Sequence, residues 1–100
     1  RTVDASDVRF KENIQDSSLN GLNIINSLKM RQFDWKKNGN HVDIGVVAQE
    51  VLEIYPKAVD VADETSYGIM TQDFIYPLLK AVQELSTKLD AMQVEINNLK

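Results

Sequence analysis

One pattern in the last third of the chain restricts its fold more than anything else in the sequence. Ile75, Leu78, Val82, Leu85, Leu89, Met92, Ile96 and Leu99 follow one another at intervals of 3, 4, 3, 4, 3, 4 and 3 residues. That is a heptad, with Ile75, Val82, Leu89 and Ile96 at the first core position and Leu78, Leu85, Met92 and Leu99 at the second. A stripe with this 3.5-residue average predicts a left-handed supercoil with other helices. The outward positions Gln83, Glu84, Thr87, Lys88, Asp90, Gln93, Asn97 and Asn98 are uniformly polar, and the repeat runs to the last residue. The bland alternative is a helix packed on its own domain's core, but 100 residues leave little else for such a rod to lie against. The mix of side chains at the two core positions does not follow the dimer rule cleanly, so two or three strands fit on packing grounds. In a parallel arrangement Glu95 faces Lys100 of a neighbour, an exposed pair worth at most about 0.5–1 kcal/mol. Pro77 must lie near the helix start or kink it, because it cannot donate to the carbonyl four residues back.

Composition removes several classes of function. Eleven Lys and Arg against fifteen Asp and Glu leave a net charge of −4, which argues against a nucleic-acid binder needing a basic footprint. Cysteine is absent and His41 is the sole histidine, so there is no disulfide framework, no thiol nucleophile and no Cys- or His-rich metal site. No apolar run approaches the roughly 18 residues of a membrane span. Hydrophobic residues at 43% and charged residues at 26% suit a folded domain. At this length a monomeric core is thin, so either it is unusually efficient or other copies of the chain supply the missing burial.

The remainder reads as a small mixed body. Residues 1–18 are polar, without sustained period, and end at Ser17-Ser18, a plausible helix N-cap. Leu19, Leu22, Ile25 and Leu28, with Ile24 beside them, make one face of a short amphipathic helix to about Met30, whose first turn Gly21 weakens. Phe33 and Trp35, then Val42, Ile44 and Val46, alternate with polar residues or glycine around Lys37-Asn38-Gly39-Asn40. Asn-Gly between alternating runs predicts a β-hairpin. Ala48–Tyr55 is a short helix stopped by Pro56. The runs 58–61 and 67–70, separated by Asp63-Glu64-Thr65-Ser66, fit a second hairpin or an irregular loop equally well.

Chemistry has few places to sit. The four glycines never take a phosphate-cradling spacing. His41 falls in the hairpin turn, a poor place for a catalytic base, and the pairs Asp4/Asp7 and Asp63/Glu64 read as solvated loop charges. Ser6 with Lys11 can do covalent chemistry: a serine hydroxyl is a weak nucleophile that a neutral lysine amine can activate. Neutrality requires desolvation or a nearby cation; Arg9 is at hand, and Val8 and Phe10 could supply apolar cover. Residues five apart do not share a face of a helix or strand. The pair therefore needs a turn between its members, or a Lys11 from a neighbouring subunit. By spacing alone, two unrelated surface residues are the simpler reading.

The order of segments adds to this. Ser6-Asp7-Val8-Arg9-Phe10-Lys11-Glu12-Asn13-Ile14 resembles the S-D-x-R-x-K-x-x-I opening of the intramolecular chaperone domain, which ends phage tail spikes, tail fibres, neck appendages and endosialidases. That family is a self-cleaving serine peptidase family. Phe33-Asp34-Trp35-Lys36 is similar to its F-x-W/Y-x strand, and Gly45-Val46-Val47-Ala48-Gln49-Glu50-Val51 to its G-x-x-A-Q-E-V block. Pro56 and Val59 follow at the expected offset. Tyr67-Gly68-Ile69 and the segment from Phe74 to Leu85 resemble its closing helix region. The resemblance spans residues 6 to about 90, with the acidic neck-appendage type nearest. Phe10 stands where members often have Leu.

The resemblance implies a fold and a mechanism. The fold is α+β: a small body with a β-hairpin and short helices, then a long C-terminal helix forming a parallel trimeric coiled coil. Residues 1–18 are an arm with the self-cleavage site, 19–70 the chaperone body and 71–100 the coiled-coil helix. The domain trimerises, registers an upstream β-rich fibre of the same chain while it folds, and then cuts itself off at or beside Ser6. Ser6 is the nucleophile and Lys11 the general base, with Asp7 and Arg9 supporting the site. Cutting there leaves a chain starting at Ser6 or Asp7, so the five residues before Ser6 point to an uncleaved chain. No cofactor is required, and ATP enters only through the neck-appendage resemblance. The expected partners are two further copies and the upstream fibre, not nucleic acid or membrane. The expected location is the bacterial host cytoplasm during phage assembly, with the domain absent from the mature virion. A non-catalytic trimerisation cap is the alternative, and the same module in a membrane-tethered animal transcription factor is a third reading.

Overall fold

Asn20 opens the first helix. Its side-chain oxygen accepts from the Asn23 N–H at 2.9 Å, satisfying one of the amides that a helix start leaves unpaired. In this computed structural model, which describes residues 3–100, helix α1 runs Gly21–Ser27. It is shorter than the span 19–30, and Ser17-Ser18 does not cap it. Ser17 instead turns the preceding chain, its Oγ accepting from the Leu19 N–H at 3.1 Å. Arg1 and Thr2 of the arm lie outside the described residues.

Strands β1 (Arg31–Asp34) and β2 (His41–Gly45) form the expected antiparallel hairpin, with Phe33 opposite Val42 and Asp34 opposite His41. The chain reverses where Asn38-Gly39 predicts. Gly39 takes φ +72°, a backbone that glycine adopts without strain, and its N–H donates to the Trp35 carbonyl at 2.7 Å. Helix α2 (Ala48–Ile54) ends as Tyr55 leaves the helical region ahead of Pro56. A two-residue ladder joins β3 (Val59–Asp60) to β4 (Gly68–Ile69). The Met70 N–H extends it to the Ala58 carbonyl at 2.8 Å, so the second hairpin, not the irregular loop, is what forms. Val51, Ala58 and Val59 are the buried centre of this body, under Leu28, Val46, Tyr67, Ile69 and Phe74.

A 3₁₀ turn at Thr71–Phe74 leads into α3 (Ile75–Asn98). Pro77 sits in the first turn, where amides lack intrahelical partners anyway. Helix α1 lies across this base. The buried residues of α3 are Pro77 and Ala81, and Gly21 of α1 is buried against them. A Cβ on Gly21 would stand 2.5 Å from the Pro77 carbonyl oxygen and 2.8 Å from the Ala81 nitrogen. Gly21 is therefore required by close helix approach and is not merely a weakness of the first turn. Glu84 is not simply an outward polar residue either. Its Oε1 accepts from the Gly21 N–H at 2.7 Å and the Leu22 N–H at 3.2 Å, placing negative charge at the positive end of α1.

The heptad stripe lies on another side of α3. All eight of its residues are exposed, from 46% at Leu85 to 86% at Leu99. The chain's own body does not cover them, so the reading of this stripe as part of its own domain's core fails. The consequence is visible in area: the chain exposes 8870 Å², against about 5,700 Å² for a compact protein of its mass. Its radius of gyration is 18.4 Å, against about 13 Å for a compact chain of this length. The architecture is a small mixed helix-and-strand body carrying a long C-terminal helix, none of whose described residues form a span long and apolar enough to cross a membrane.

Candidate functional site: the Ser6–Lys11 turn

Asp7 organises the arm. One of its carboxylate oxygens accepts from the Arg9 N–H at 2.8 Å, capping a 3₁₀ turn at Val8–Phe10. The Arg9 guanidinium reaches back to the same carboxylate, Nε to both oxygens at 3.2 Å and Nη2 to Oδ2 at 2.7 Å. This neighbour holds the Asp7 carboxyl below its usual range and pushes Arg9 up. The turn closes with Phe10 N–H donating to the Asp7 carbonyl and Lys11 N–H to the Val8 carbonyl, each at 3.1 Å. Beyond it Asn13 takes φ 53°, a left-handed conformation that asparagine tolerates better than most residues.

The reversal brings together two residues that no helix or strand could align. Lys11 Nζ lies 2.8 Å from Ser6 Oγ within one chain, a separation suited to proton transfer between hydroxyl and amine. The turn that the five-residue spacing demanded is present, built by the intervening Asp7 and Arg9.

Two expectations about its surroundings do not hold. Val8 and Phe10 give no apolar cover; Phe10 is 87% exposed, because a three-residue turn fans its side chains outward and the body does not reach them. Arg9 does not stand as a free cation for Lys11, since its guanidinium is engaged by Asp7. Asp7 and Arg9 brace the turn. What the isolated chain offers is a nucleophile and an amine in contact, open to water on the side where a base needs desolvation.

The other candidates are accounted for locally. His41 opens β2, with Nδ1 2.6 Å from Asp34 Oδ1 and Nε2 3.2 Å from Gln32 Oε1, so it ties the hairpin's exposed face. Asp63 accepts from both the Thr65 N–H and Oγ1–H, which lowers its pKa and holds its loop. Arg31 grips Glu50 through Nε at 3.0 Å and Nη2 at 2.6 Å, joining β1 to α2 and holding the Glu50 carboxyl low. Among the described residues no group of three or more acidic, His or Cys side chains could hold a metal ion. Glu84 and Arg31 are contributors that sequence reasoning missed. Glu84 left no signal, because its partners lie 63 and 62 residues away.

No curated protein matches the chain. A peptidase family model described as chaperone of endosialidase matches residues 6–60. The match opens at Ser6 and takes in Lys11, the first hairpin, α2 and β3; α3 lies beyond it. With more than half its length inside that match, the chain belongs to the chaperone of endosialidase family.

Proposed function

We propose that this chain is an intramolecular chaperone that trimerises through α3, registers an upstream phage fibre or tail-spike chain, and then releases itself by a Ser6–Lys11 cleavage. The observation that carries this reading is the 2.8 Å contact between Ser6 Oγ and Lys11 Nζ at the start of the family match. In the reaction, Ser6 passes its hydroxyl proton to the neutral Lys11 amine and attacks the carbonyl of a peptide bond at or beside Ser6. The C–N bond breaks as the amine leaves with the proton from Lys11, and water then hydrolyses the ester. Asp7 and Arg9 hold the turn that makes the two side chains meet. This step requires neither metal nor nucleotide. The exposed stripe of Ile75, Leu78, Val82, Leu85, Leu89, Met92, Ile96 and Leu99 supports assembly through α3, with a parallel three-stranded bundle bringing three arms to one end. The natural setting is the bacterial host cytoplasm during phage assembly, and removal of the domain leaves the fibre kinetically trapped.

The test expresses the domain behind its upstream fibre, as wild type, Ser6→Ala and Lys11→Ala. Release of the C-terminal fragment is expected in the wild type alone, with Lys11→Ala slowed about 10²–10⁴-fold by loss of its base and Ser6→Ala at least as much. Equal release from all three would sink the dyad. The solvent-open position of Lys11 favours one second reading, a non-catalytic trimerisation cap, under which the fibre folds only with the domain attached and the full-length chain persists.

A further inference from the structure

The chain carries the dipeptide Asn-Gly twice, at Asn20-Gly21 and Asn38-Gly39, and the fold treats the two in opposite ways. This dipeptide has a reaction of its own, in which the glycine nitrogen attacks the asparagine side-chain carbon Cγ. Glycine hinders that approach least because it has no Cβ. In both pairs the asparagine Oδ1 accepts a backbone N–H at 2.9 Å, from Asn23 for Asn20 and from Asn40 for Asn38. Such a donor polarises the carbonyl for attack, so the two electrophiles are alike. The nucleophiles are not. Gly21 is buried at the start of α1, its N–H donates to the Glu84 carboxylate at 2.7 Å, and a Cβ there would stand 2.5 Å from the Pro77 carbonyl oxygen. A nitrogen that must become anionic to attack is disfavoured beside that carboxylate, and the packed joint leaves no room for a ring to close. Gly39 is exposed in the hairpin turn, where a Cβ would meet nothing within 4 Å. Its N–H is held only by the neutral Trp35 carbonyl, at 2.7 Å. Lys36 and Lys37 in the same turn favour an anionic nitrogen.

We infer that Asn38-Gly39 is a site of covalent self-modification, at which the folded chain deamidates, and that the α1–α3 joint keeps Asn20-Gly21 intact. The Gly39 nitrogen gives its proton to hydroxide and bonds to Asn38 Cγ. The Cγ–Nδ2 bond breaks, and Nδ2 leaves as ammonia with a proton from water. Water then opens the cyclic imide at one carbonyl or the other, giving aspartate or isoaspartate at position 38. Aspartate keeps an oxygen for the Asn40 N–H. Isoaspartate runs the main chain through the side chain, and so lengthens the turn that sets Phe33 opposite Val42. Either product adds a negative charge to the hairpin. The reaction uses neither the Ser6–Lys11 pair nor the α3 stripe, so it stands apart from the proposed cleavage.

The test incubates the wild-type chain at mildly alkaline pH, folded and in denaturant, and maps its peptides by mass and chromatography. In the folded chain the peptide holding Asn38 is expected to gain the mass difference between NH2 and OH and to split into two isomers. It should do so more than about tenfold faster than the peptide holding Asn20, whose glycine nitrogen must first leave a charged acceptor. In denaturant the two pairs should convert at comparable rates. Asn38→Asp should remove the mass gain at position 38 and leave Asn20 as it was. Equal rates in the folded chain, faster change at Asn20, or an Asn38 that converts only in denaturant would overturn the inference. A preference for Asn38 that stays as large in denaturant would assign it to local sequence and overturn the protection by the joint.

Discussion

On one side of α3, Pro77 and Ala81 are buried under α1, and Glu84 closes that helix's N-terminus. About a quarter turn round the same helix, eight larger apolar side chains face water. The difference lies in side-chain size. Gly21, Pro77 and Ala81 let two backbones approach within touching distance, so the joint is closed by small residues and two hydrogen bonds. Leu, Ile, Val and Met on the other side are knobs suited to the holes of another helix. One face of the helix is finished within the chain, and the other is left in water by it, to be finished by copies under the proposed function. The arm repeats the contrast, since its turn is braced internally by Asp7 and Arg9 while Phe10 is left exposed.

The largest expected effect separates the two faces. Leu85→Asp with Leu89→Asp puts unpaired charge where the proposed bundle must be dry, and is expected to leave single chains in gel filtration while hydrogen-exchange protection of α1 survives. Loss of that protection together with the trimer would mean that the joint and the stripe are not separate. Next comes Gly21→Ala. Its new Cβ meets backbone atoms of Pro77 and Ala81 that cannot swing away, and the expected cost is about 1–3 kcal/mol. Calorimetry at fixed protein concentration should show this as a fall in Tm of about 4–8 °C per kcal/mol. An unchanged Tm would show the joint to be loose.

Glu84→Gln keeps an acceptor for the Gly21 and Leu22 amides but removes the charge at the α1 N-terminus. Chemical denaturation should register about 0.3–1 kcal/mol; a loss of several would mean that Glu84 does more than cap. The smallest effect concerns the Arg31–Glu50 pair. Arg31 holds the Glu50 carboxyl below its ordinary value of 4.5. The pair's contribution is therefore present above that value and lost as pH falls through the lowered folded one. Asp7 and Asp63 are held low as well, so the wild-type acid curve combines several groups. Glu50→Gln should flatten only its own share, and salt should shrink the difference. Identical curves below pH 4.5 would leave the pair without a role in stability.

What the sequence made legible was whatever repeats or is local. The heptad and the hairpin follow from periods of 3.5 and 2, and the stop at Pro56 from a single residue's geometry. The start of α1 was not legible to the residue, because Ser17, Ser18 and Asn20 all have cap-forming side chains and only packing on α3 selects Asn20. Gly21 read as a weakness because its reason is Pro77, distant in sequence and adjacent in space. The Ser6–Lys11 pair was legible as chemistry, and the need for a turn was legible as geometry. The openness of the turn was not, since Val8 and Phe10 on paper offer cover that three residues of 3₁₀ turn direct outward.

The claim that one face of α3 is finished only by other copies is tested most directly by light scattering on the wild-type chain at micromolar concentration. The predicted mass is three times the 11.3 kDa of one chain. A mass of 11.3 kDa, with the stripe left in water, would contradict it.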